Sequence, residues 1–177
     1  LSTKTLTRGG LLLALAVILP QVLHLTGGPQ LGSIVLPMHF PVYIAGFLLG
    51  PALGGIIGFL APLISHMITG MPPVSPPVLF LMLVELPLFG LLAGYLYRQR
   101  GWKIIPALLL AMVGGRVGMA LISPLIFYVQ DFPVAPLVYV QGALITGLPG
   151  IFLQILIIPI LFKTRFMEVV AHESPAK

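Results

Sequence analysis

The chain alternates long apolar runs with short polar breaks. The runs cover about 9–23, 36–50, 51–69, 78–97, 104–128 and 137–162, and a polar tail covers 163–177. Most approach the roughly 20 residues that an α-helix needs to cross about 30 Å of hydrocarbon. The pattern predicts an all-α integral membrane protein, a single transmembrane domain of six helices spanning 1–177. The first run lies behind Lys4 and Arg8 and shares the basic front and apolar centre of a secretory signal. The longer runs behind it favour a retained first helix.

The breaks differ in kind. Residues 24–36, with LTGGPQLGS at their heart and no Lys or Arg, read as a loop. Gly50-Pro51 reads as a tight turn between helices two and three. Gly46, Gly50, Gly54 and Gly58 recur at four-residue spacing around it, a device that lets helix backbones approach closely in lipid. Pro37 and Pro41 predict an irregular start to helix two, because proline removes a backbone donor. GMPPVSPP, 70–77, is stiff with proline, and Gly147-Leu148-Pro149-Gly150 is expected to interrupt helix six.

Composition agrees with lipid as the solvent. The 177 residues are 58% hydrophobic and 7% charged, too few charges to cover a soluble domain. With no cysteine, disulfides, thiolate metal sites and cysteine nucleophiles are excluded. The net charge of +5 raises nucleic acid as a partner. Topology explains the charge better. With both termini in the cytoplasm, Lys4, Arg8, Arg98, Arg100, Lys103, Lys163, Arg165 and Lys177 all lie inside, and the outer loops hold no Lys or Arg. The ninth basic residue, Arg116, lies within helix five. The basic residues orient the bundle, so no nucleic-acid partner is expected.

Arg116 carries the most information. It stands about 12 residues from either end of its helix, close to the midplane. A charge at that depth is expensive and usually faces the protein interior or a water-filled cavity. Glu85, on helix four, is within reach of a neighbouring antiparallel helix. One reading is a structural ion pair pinning helices four and five. The other is an anion site, since the guanidinium fork matches a carboxylate. Both hold if Glu85 orients the arginine.

Further polar and aromatic groups collect in the outer half: Gln21 and His24, His39 and Tyr43, Ser65, His66 and Thr69, Ser123, Tyr128 and Asp131, and Tyr139, Gln141 and Thr146. They suggest an outward-opening pocket whose substrate-binding residues are Arg116, Glu85, His39, Tyr43, His66, Ser123, Tyr139 and Gln141. Against this, tyrosines near a membrane surface are commonly interface anchors, and an edge histidine often serves packing. His24, His39 and His66 match no compact metal motif, so no metal site is expected. H-E-x-x-H, G-x-S-x-G and the P-loop G-x-x-x-x-G-K-[ST] are all missing, so no catalytic residue is assigned and any ATP is hydrolysed elsewhere.

LPMHFPVYIAGFLLGPALGGIIGFLAPLIS, then TGMPP, VELPLFGLLAGYLYR (84–98) and GGRVGMAL (114–121) resemble the substrate-binding (S) subunits of energy-coupling factor (ECF) vitamin transporters. The likeness is to the pantothenate, pyridoxine and hydroxymethylpyrimidine group, and it extends from helix one to helix six. It implies a bacterial cell-membrane importer subunit, not an enzyme. Such a subunit captures a small water-soluble vitamin from outside with high affinity. It then docks on a membrane coupling subunit driven by two cytoplasmic ATPases, so ATP is the partners' cofactor and this chain has none. Small residues on helix one form the docking face in the family; Gly10 and Ala14 match that spacing, with Ala16 nearby. The loop at 24–37 takes the place of a gate over the pocket. The midplane arginine favours pantothenate, with pyridoxine or hydroxymethylpyrimidine as alternatives because Glu85 can neutralise Arg116. Two other classes compete: a membrane-embedded lipid-modifying enzyme, which lacks a polar catalytic cluster here, and an assembly scaffold, which has no need of Arg116.

Overall fold

The computed structural model describes residues 2–163. The chain runs through α1 (Thr3–Val35), α2 (His39–Leu49), α3 (Pro51–Thr69), α4 (Val78–Gly94), a short π-helix (Tyr95–Gln99), α5 (Ile104–Val129) and α6 (Pro136–Lys163). Beyond Lys163 the expected tail, with Arg165 and Lys177, lies outside the described residues. Among the described residues six helical stretches are long and apolar enough to cross a membrane. Leu25, Leu121 and Phe152 stand exposed on their outer surfaces, a burden that lipid removes.

Close backbone approaches fix the helix directions. A methyl group built on Gly54 falls 2.6 Å from the Gly46 Cα and 2.6 Å from the Gly90 carbonyl oxygen. One on Gly58 falls 2.6 Å from the Leu86 carbonyl carbon, and one on Gly94 falls 2.5 Å from the Pro51 nitrogen. Rising numbers on α3 thus meet falling numbers on α4, so the two are antiparallel. The glycine spacing predicted a tight pair, α2 with α3; the observed unit is three helices, because Gly90 and Gly94 give α4 the same small face. At its centre Gly50 takes φ 94°, open to glycine alone at little cost, and Pro51 starts α3 where its missing N–H is not needed. Lys4, Arg8, Arg98, Arg100, Lys103 and Lys163 fall at the same end of the bundle. There Arg98 donates to the Leu48 carbonyl, and Arg100 donates from Nε to the Tyr95 hydroxyl at 2.8 Å.

Two expectations need correction. Residues 24–35 are helical, not a loop. Within α1 only Gly28, at φ 73° and ψ 178°, leaves helix geometry; the kink ends the first span, Thr3–Gly28, and the second, Gln30–Leu49, runs from the rest of α1 through α2. The Gly-Gly-Pro signal marks one bend, after which the helix resumes. A second break comes at Leu36, in the left-handed region at φ 53°. Its carbonyl accepts from the buried Gln154 Nε2 of α6 at 3.4 Å. Helix six is also continuous. Gly147 and Gly150 do not interrupt it; they let it approach 34–36, where a methyl on Gly150 falls 2.6 Å from the Ile34 carbonyl oxygen.

Candidate functional site

A cavity of about 540 Å³ opens toward the end opposite the basic residues. All six helices and the proline loop at 70–77 line it. Its walls are mostly apolar, including Met38, Met71, Met82 and Met119, Pro20, Pro37, Pro72 and Pro73. Polar side chains fall in two groups. His24, Ser33, Ser65, Tyr139 and Thr146 contribute from α1, α3 and α6; His39, Glu85 and Arg116 come from α2, α4 and α5.

The latter three meet because of where their spans begin. His39 seemed an edge residue when helix two was expected at 36. The span begins at Gln30 and ends at Leu49, which places His39 near its middle. Glu85 lies about two turns into α4, and Arg116 is near the centre of α5. Arg116 Nη1 stands 2.8 Å from Glu85 Oε1. The contact is an ion pair between adjacent helices, with the glutamate buried. His39 is 4% exposed, and neither ring nitrogen has a protein partner. Its ring leans on Phe89, with centroids 5.4 Å apart.

Of the expected binding residues, Arg116, Glu85, His39 and Tyr139 line the cavity. The other four do not. Tyr43 is buried one turn further along α2, stacked at 5.0 Å on Phe89. His66 Nδ1 bonds to the Pro72 carbonyl at 2.9 Å and so props the proline loop from behind. Ser123 Oγ donates to the Ala120 carbonyl at 2.9 Å. That carbonyl has lost its helical donor to Pro124, so the hydroxyl repairs the backbone and does not face a ligand. Gln141 is exposed on the outer side of α6. Its neighbours Gly142 and Ala143 line the cavity instead, because one residue is a turn of about 100°.

The methionine wall went unread, since a methionine in an apolar run is indistinguishable from one facing lipid. Thr146, Ser65 and His24 were legible as outer-half polar groups without a role. Gln21, from the same set, joins α1 to α3 through Ser65 Oγ at 3.1 Å and Thr69 Oγ1 at 3.2 Å.

On α1, Gly10 and Ala14 are exposed on one face, whereas Ala16 is fully buried in the core. Ala16 is therefore removed from any docking face: two residues on from Ala14, it points about 200° around the helix. Only 17% of the apolar window of Thr3–Gly28 is buried, against 56% for Gln30–Leu49, so α1 is the peripheral helix.

No curated protein and no solved structure matches the chain. A family described as the ECF transporter substrate-specific component matches residues 4–162, nearly the whole length. Six helices long and apolar enough to cross a membrane, around a cavity with a polar floor, suit that assignment, and this multi-pass membrane protein belongs to the ECF transporter substrate-specific component family.

Proposed function

We propose that the protein captures a small water-soluble vitamin from outside the cell with high affinity and hands it to a separate coupling module. The basic end is cytoplasmic on the positive-inside rule, which turns the cavity mouth outward. The observation that carries the reading is the cavity itself, with His39, Glu85 and Arg116 at mid-span. Polar groups at that depth are expensive unless they serve a ligand or a water path. The exposed face of α1 at Gly10 and Ala14 is the docking surface for a transmembrane coupling subunit, and two cytoplasmic ATPases drive release. This chain needs no cofactor of its own and performs no catalysis.

Pantothenate is the vitamin that Arg116 favours. The guanidinium carries five N–H donors, and the contact with Glu85 leaves others for a carboxylate. A second reading, pyridoxine or hydroxymethylpyrimidine, rests on the ion pair, which already balances the arginine's charge. The test is thermal unfolding of the purified protein against a vitamin panel, because a ligand that binds the folded state raises the apparent stability. One member is expected to stabilise. No shift across pantothenate, pyridoxine, aminopyrimidine, riboflavin, niacin and biotin overturns the capture reading.

A further inference from the structure

The outer end of α5 closes on a cap of the kind that glycine usually completes. Phe132 N–H donates to the Phe127 carbonyl at 3.0 Å, and Asp131 N–H donates to the Tyr128 carbonyl at 3.3 Å. The Phe127 and Phe132 rings meet at 5.1 Å, the apolar contact that accompanies such a cap. At the left-handed position, φ 48°, stands Asp131 instead of glycine. The cap fixes where that residue sits, and it sits at the wrong end of the helix. A helix C-terminus carries partial negative charge on its unpaired carbonyls and favours a cation. Among the described residues no side chain pairs with the Asp131 carboxylate, and every Lys and Arg except Arg116 falls at the opposite end of the bundle.

Asp131 also lines a hollow of about 330 Å³ that shares no lining residue with the large cavity. Pro124, Phe127, Tyr128, Phe132 and Pro136 form most of the remaining wall. One carboxylate among aromatic rings suits an ammonium group, which is attracted to ring faces and donates N–H to the carboxylate. The position points to the source of that group. The hollow lies where the span Ile104–Val129 ends and the span Pro136–Lys163 begins, which is headgroup height. Leu125, Val129 and Leu137 beside it are exposed, so it opens on a flank that meets lipid. With the basic end cytoplasmic, that lipid is in the outer leaflet.

We propose that this hollow binds the ammonium headgroup of an outer-leaflet aminophospholipid, with Asp131 as the counter-charge and Phe127, Tyr128 and Phe132 as the aromatic wall. The headgroup supplies the cation that the end of α5 lacks. It also bears on the large cavity through one ring: Tyr139, which lines that cavity, packs edge-on against Phe127 at 5.2 Å. The experiment is native mass spectrometry of the full chain released from nanodiscs of equal parts phosphatidylethanolamine and phosphatidylglycerol, with melting temperatures in detergent alongside. Phosphatidylethanolamine is expected to be retained over phosphatidylglycerol. Asp131→Asn keeps a residue that tolerates the left-handed backbone and removes the charge. It should leave the lipid-free melting temperature unchanged or slightly higher, because a negative charge at a helix C-terminus is unfavourable. Tyr128→Leu, at a position 85% exposed, should leave it unchanged. Each variant should lower phosphatidylethanolamine retention by about threefold or more, the scale of one ammonium contact with a ring or a carboxylate near a surface. Equal retention of the two lipids overturns the site, as does phosphatidylethanolamine retention that Asp131→Asn leaves intact. Displacement of the lipid by free ethanolamine in solution would make the site one for a soluble cation and overturn the lipid assignment.

Discussion

Arg116 Nη1 and Glu85 Oε1 lie 2.8 Å apart on adjacent helices, with the glutamate side chain 4% exposed and the arginine 16%. The pair joins α4 to α5 and also faces the cavity. Its two roles separate by mutation. Arg116→Ala strands a buried carboxylate, and breaking a buried pair in this way costs about 3–5 kcal/mol. Replacing both partners by apolar residues of similar volume, Glu85→Leu with Arg116→Met, is expected to be near neutral for stability. Ligand binding should be lost in both variants. Melting temperatures and binding isotherms on the single and double variants check this; a double variant that binds fully makes the pair a mere pin.

Ser123 gives the opposite expectation. Its hydroxyl serves the carbonyl that Pro124 leaves without a donor. Ser123→Ala should lower stability by under about 1.5 kcal/mol, the range of one hydrogen bond in this setting. Vitamin affinity should be unchanged. A selective loss of affinity would return Ser123 to the cavity wall.

How much of this was legible beforehand depends on the kind of signal. The number of spans, the end that carries the basic residues and the placing of Arg116 beside Glu85 all follow from hydropathy and charge, which are strong in lipid. The Gly50-Pro51 turn followed from two residues with narrow conformational meaning. The start of the second span did not, because Gly-Gly-Pro marks a single kink at Gly28 as readily as a loop. That error displaced His39 from mid-span to the rim. Ser123 and Gln141 were misplaced for another reason: composition locates a polar residue along the helix, while its direction depends on neighbours such as Pro124 that claim the hydroxyl. Methionines carried no signal, since wall and lipid face read alike.

Gly90 tests the three-helix seam. A methyl built there would collide with the backbone of Gly54, and backbone has no rotamer with which to yield. Gly90→Ala is expected to cost about 1–3 kcal/mol or more by overpacking. Gly142→Ala, on α6 where nothing stands within 4 Å of the added carbon, should be nearly silent. Thermal unfolding of the two variants side by side decides it. Equal melting temperatures would mean that α3 and α4 are further apart than described.

Ala14 and Ala16 separate docking from folding on a single helix. Ala14 is exposed, and its face continues through the exposed Gly10 and Ile18. Ala16 is fully buried in the core cluster that also holds Leu12, Val42 and Ile57. Ala14→Leu is expected to leave vitamin affinity and melting temperature unchanged, because a leucine there meets lipid or a partner. It should lower co-purification with the coupling subunit and ATPases, since small residues are what let helices approach closely in membranes. Ala16→Leu should do the reverse at first reading, lowering the melting temperature by overpacking worth about 1–3 kcal/mol. Comparing complex formation per folded molecule separates a lost surface from a lost fold. If Ala14→Leu assembles as well as the unaltered chain, the partner sits on another face, and the exposure of α1 serves lipid alone.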